Sequence, residues 1–104
     1  MNNKKYTVKY SSTFINQFNN ILKYFANKLK NKIAAENFYN NVIKEIEKRK
    51  LNPLSYEKYY SLLKRNHIFY KIYVKNYTIL YTVKNDTIIL TKILHNKQNF
   101  KKLI

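Results

Sequence analysis

The chain has 104 residues, with 21 Lys and Arg against five Asp and Glu, and so a formal charge of +16. A domain this basic repels itself until an anionic partner relieves the repulsion. The absence of cysteine excludes disulfides, thiolate zinc sites and cysteine nucleophiles, and the absence of glycine excludes the phosphate-cradling Walker and dinucleotide loops.

Two histidines and five scattered acids are too few for a metal site, and no cofactor is expected. With 45% hydrophobic and 16% aromatic residues, a single domain over 1–104 can build a core. The N-terminal MNNKKYTVKY has no apolar signal core, and no run approaches the ~20 apolar residues that cross a bilayer. A cytoplasmic protein without a membrane partner is the expectation.

Residues 6–10 (YTVKY) alternate and read as a first strand. Ser11, Ser12 and Thr13 offer hydroxyls to cap a helix. Phe14, Phe18, Ile21, Leu22, Phe25 and Leu29 then recur at three- and four-residue spacing, one apolar stripe on an amphipathic helix. Lys30, Asn31 and Lys32 break the stripe, and Asn31 is the candidate cap of a second helix whose stripe is Ala34, Phe38, Val42 and Ile46. Glu45 and Glu47 among Lys44, Lys48 and Arg49 read as a solvated, charge-paired face. Asn52 and Pro53 end that helix.

Residues 54–66 (LSYEKYYSLLKRN) fit either a helical turn or a loop. Strands are predicted at 67–74, 77–84 and 87–95, broken at Lys75, Asn76 and at Asn85, Asp86. Without glycine, Asn and Asp are the residues that best tolerate positive φ in such hairpins. The order β-α-α-β-β-β predicts an α+β fold, an N-terminal strand and helical hairpin packed on an antiparallel sheet.

In this order of elements, and in several local strings, the chain resembles the RelE/ParE superfamily of toxins from bacterial type II toxin–antitoxin pairs. The strings are AAENFYNNVIKEI, the stop at Leu51, Asn52 and Pro53, the Tyr-x-Ile-x-Tyr-type strand Tyr77-Thr-Ile-Leu-Tyr81, and the tail Ile93-Leu-His95-Asn-Lys97-Gln-Asn-Phe100. The resemblance implies a cognate antitoxin with an acidic, amphipathic segment. It also implies one of two targets: the ribosome with its mRNA, which RelE-like members cut, or DNA gyrase, which ParE-like members inhibit.

Cutting RNA without metal requires a base for the 2′-hydroxyl, cations for the phosphorane oxygens and an acid for the leaving oxygen. His95 is the candidate base and acid, with Lys97 and Arg65 completing the catalytic set. Lys64 and Lys71 are candidates for phosphate contact, and Tyr70, Tyr81 and Phe100 for stacking or hydroxyl contact with RNA. If Ile89, Thr91, Ile93 and His95 alternate onto one face, His95 stands at its end. The expected surface is an uncovered sheet side that gathers the positive charge.

Family tails often carry arginines after the histidine, whereas this chain has Asn96, Lys97 and Gln98. Lysine lacks the planar fork that fits a phosphate. These departures count against efficient cleavage and suit a gyrase-type inhibitor, yet ribosome-dependent mRNA cleavage stands as the leading expectation. A ParE-like gyrase inhibitor without catalytic activity, or a non-enzymatic basic RNA-binding module, is the alternative.

Overall fold

Ser11 sets the first helix and ties it to the sheet in one step. Its Oγ accepts the N–H of Phe14 at 3.0 Å and donates to the carbonyl of Thr91 at 2.8 Å. The computed structural model describes residues 5–59 and 68–97. Within them β1 (Thr7–Tyr10) leads into α1 (Ser12–Lys23), whose end widens into a π-helical turn over Tyr24–Lys28.

Lys30 takes a left-handed φ of 50°. Asn31 then caps α2 (Lys32–Arg49), its Oδ1 accepting the N–H of Ala34 at 2.9 Å. The predicted break and cap are those the chain uses. Pro53 opens a 3-10 turn (Pro53–Ser55), followed by a two-residue strand, β2 (Lys58–Tyr59). The described part of 54–66 thus holds both a turn and an edge strand.

β3 (Phe69–Val74), β4 (Tyr77–Lys84) and β5 (Thr87–His95) form the expected meander. Lys75 and Asn85 take positive φ, 54° and 56°. Asn85 was a predicted position; at the other hairpin the lysine, not Asn76, adopts it. The sheet order is β1-β5-β4-β3-β2.

The α+β architecture is the one expected, with one refinement. β1 runs parallel to β5, from Thr7 beside Thr87 to Tyr10 beside Leu90, so the sheet is mixed. Helices α1 and α2 lie between β1 and the rest of the sheet in sequence, and a long connection of that kind permits parallel pairing.

The core lies between the helices and one sheet face. Phe14 and Phe18 of α1 and Phe38, Val42 and Ile46 of α2 pack on Tyr70, Ile72, Val74, Ile79, Tyr81, Ile88, Leu90 and Ile93. Spacing on β5 is odd: Leu90 and Ile93 both face the core although three positions apart. A β-bulge reconciles them. Leu80 pairs with Lys92 and Tyr81 with Leu90, so Thr91 is the extra residue. Its Oγ1 donates to the Leu80 carbonyl at 3.0 Å.

Candidate functional site

The bulge decides where the histidine goes. Strict alternation would give His95 the company of Ile89 and Thr91. The extra residue instead puts Ile88, Leu90, Ile93 and His95 on the helix-covered face. His95 pairs across the ladder with Tyr77, and the two rings meet edge-on at 5.1 Å. Tyr77 in turn packs against Phe25 and Phe38.

Asn20, Ile21, Tyr24, Phe25, Asn76, Tyr77 and His95 enclose a cleft of about 480 Å³ at the margin of the helical layer. Burial, with Tyr24 alongside, pushes the Tyr77 phenol above its ordinary pKa, so it stays a protonated hydrogen-bonding group.

The tautomer of His95 follows from its own turn. Nδ1 accepts the backbone N–H of Lys97 at 3.2 Å. In a neutral imidazole only one nitrogen is an acceptor, so the ring proton sits on Nε2.

Lys71 stands on the other side of the sheet. It pairs with Leu80, an odd number of residues from Tyr77, so the pleat directs it away from His95. Its Nζ lies 3.0 Å from Glu57 Oε2, and Tyr73 Oη donates to the same oxygen at 3.1 Å. Burial acts to lower the Lys71 pKa, but the Glu57 carboxylate and the Tyr73 hydroxyl outweigh it and the net shift is upward. Glu57 and Tyr73 escaped the sequence reading. The i, i+2 spacing of Lys71 and Tyr73 on one strand face was the available signal for the second, and nothing local marked the first.

Tyr70 and Tyr81 correct the expectation that they stack on RNA. Both are buried, at 5% and 0% exposure, and their rings stack on each other at 5.3 Å. Tyr81 Oη donates to the Pro53 carbonyl at 2.6 Å. Alternation puts both on the core face, which an apolar-pattern reading of β3 and β4 could have shown. Arg49 is likewise buried rather than solvated. Its guanidinium lies 4.0 Å from the Tyr56 ring centroid, and Nη1 reaches Glu45 Oε1 at 2.6 Å. It continues the α2 stripe three residues after Ile46.

Of the remaining candidates, Lys97 is exposed in the turn after β5. Lys64, Arg65 and Phe100 lie outside the described residues. Positive charge stands on both sides of the molecule: the register puts Lys9, Lys71, Lys84 and Lys92 on the uncovered sheet face. Among the described residues, Lys23, Lys28, Lys32, Lys44 and Lys48 are exposed on the helical layer. The described residues hold no group of His, Asp and Glu able to bind a metal, and no helix long and apolar enough to cross a membrane.

The sequence matches the family model for the ParE toxin of the type II toxin–antitoxin system parDE over residues 8–100. A solved chain from the chromosomal ParDE toxin–antitoxin system of P. aeruginosa is similar in fold, with a TM-score of 0.71 at 10% identity. The match covers 88% of this chain and 97% of that one. A chain from the RelB–RelE antitoxin–toxin complex of Methanococcus jannaschii aligns at a TM-score of 0.47 and 24% identity, covering 85% and 89% of the two chains. No match was found among curated proteins.

Proposed function

We infer, from the premise that the chain belongs to the ParE toxin family of type II toxin–antitoxin systems, that it arrests growth by binding DNA gyrase and is neutralised by a cognate antitoxin. The observation that carries this reading is the match to the ParE toxin family model over residues 8–100. Of the expected nuclease residues, His95 lies with Tyr77 at the edge of the helical side with Lys97 in the turn after it, while Lys71, the expected phosphate contact, lies on the opposite face with Glu57. An inhibitor that works by binding needs no convergence of base and cation on one scissile phosphate.

Induction of the chain in a bacterium should stop growth, and co-expression of the protein encoded in the neighbouring reading frame should restore it. Purified chain should block supercoiling of relaxed plasmid by gyrase, with His95→Ala retaining most of the inhibition. Cuts mapped within translated codons, present for the wild type and lost in His95→Ala, would overturn the reading.

A further inference from the structure

The helix-free sheet face carries a small slot that the reading above does not use. Tyr59, Lys71, Tyr73, Thr78, Leu80 and Asn96 line a cleft of about 230 Å³. Leu80 forms an apolar floor at 1% exposure. The Lys71 ammonium stands 5.8 Å from the Tyr59 ring centroid and 5.9 Å from that of Tyr73, between two aromatic faces that suit a cation. Thr78 Oγ1 and Asn96 Oδ1 meet at 2.5 Å on the wall.

Glu57 occupies the anion position of this slot. Its backbone carbonyl accepts the Lys71 N–H at 2.9 Å, so pairing with β3 delivers the side chain to the mouth. The carboxylate then takes Lys71 Nζ and Tyr73 Oη together, which hold its pKa below the usual range. Yet the side chain is 56% exposed against 23% for Lys71. The cation is the fixed half of the pair and the carboxylate the half that can leave.

We propose that this slot is a carboxylate-binding subsite for an acidic side chain of a protein partner, with Glu57 as the internal stand-in that the partner's carboxylate displaces. The choice of peptide over nucleic acid follows from the group the slot already holds: one carboxylate, that of Glu57, takes the ammonium of Lys71 and the phenol of Tyr73 together. A chain of net charge +16 favours an acidic partner throughout. The assignment rests on the antitoxin reading only for the identity of that partner.

The test uses the full-length chain and a labelled, capped pentapeptide with one central glutamate, titrated by fluorescence anisotropy against its glutamine counterpart and against a short oligouridylate. Removing the internal competitor in Glu57→Gln should tighten glutamate-peptide binding about fivefold, while Lys71→Gln should weaken it about tenfold and Tyr73→Phe severalfold. Glu36→Gln, on α2, makes the same change in net charge and should leave affinity within about twofold. Thermal unfolding checks that each variant is folded.

Equal gains in Glu57→Gln and Glu36→Gln would overturn the proposal, as would equal binding of the glutamine peptide. A Glu57→Gln gain as large for oligouridylate would assign the slot to phosphate instead. If the neighbouring-frame protein binds wild type, Glu57→Gln and Lys71→Gln alike, the slot fails and the antitoxin reading stands. If the peptide pattern holds but that protein neither binds nor rescues growth, the slot stands and the antitoxin reading falls.

Discussion

Tyr81→Phe separates a structural role for this tyrosine from the RNA-contacting one its sequence suggested. The side chain is fully buried, and its hydroxyl donates at 2.6 Å to the carbonyl of Pro53, itself among the fully buried residues. Deleting the oxygen removes one hydrogen bond and leaves a buried carbonyl without that donor, at a combined cost of about 2 kcal/mol. Unfolding entropy of about 2.1 cal/mol/K per residue gives ~0.22 kcal/mol/K for a chain of this length, so the melting temperature should fall by about 9 °C.

Alkaline pH provides a second readout. Burial pushes the Tyr81 phenol well above its ordinary value, with the nearby Arg49 charge opposing it. The folded state therefore holds this proton more tightly than the unfolded one. Its contribution is fully present below about pH 10 and is lost as pH rises further. Differential scanning calorimetry from neutral pH to about pH 11 should show a steeper alkaline loss in wild type than in Tyr81→Phe. A melting temperature within about 2 °C of wild type would refute the hydrogen-bond account. Lost toxicity with unchanged melting would refute the purely structural one.

Ser11→Ala removes both a helix cap and a tie to Thr91 and should cost about 2 kcal/mol in urea unfolding, roughly twice the cost of Asn31→Ala, which removes a cap alone. Lys75→Gly, at φ 54°, should stabilise by about 0.5 kcal/mol, because glycine relieves the left-handed penalty and returns part of the gain as chain entropy. Glu45 has its pKa lowered: burial raises it, but hydrogen bonds from Arg49 and Lys48 prevail. Its stabilisation is present above about pH 4.5 and lost below, so wild type should lose more stability than Glu45→Gln between about pH 5 and 3 in denaturation titrations.

The helices and the meander were legible because their apolar periods are clean and their caps use the expected residues. Asn31, Ser11 and the strand limits 77–84 and 87–95 emerge as read. The parallel placement of β1 was not legible, since a four-residue strand carries no mark of which neighbour it will join or in which direction. His95 was read onto the wrong company for a more specific reason. One extra residue at Thr91 inverts every later side chain, and a run of Ile, Leu and Thr is compatible with either parity. The polar tip of tyrosine suggests a surface place for Tyr70 and Tyr81, but their alternation with Ile72 and Ile79 places them inside. Arg49 was hidden by its charge. Glu57 could not be found at all, because its role depends on a chain reversal that brings β2 beside β3.

The pairing of β1 with β5 also sets an order of events during synthesis. Residues 7–10 have their ladder partners at 87–90, and the cap at Ser11 reaches Thr91. At about 5–20 residues per second, some 4–16 s pass between making the two halves of that ladder. Until the final strand emerges, Phe14 and Phe18 lack the β5 surface that completes their burial. A chain of this topology therefore holds one side of its first helix uncovered until two strands some eighty residues apart can meet.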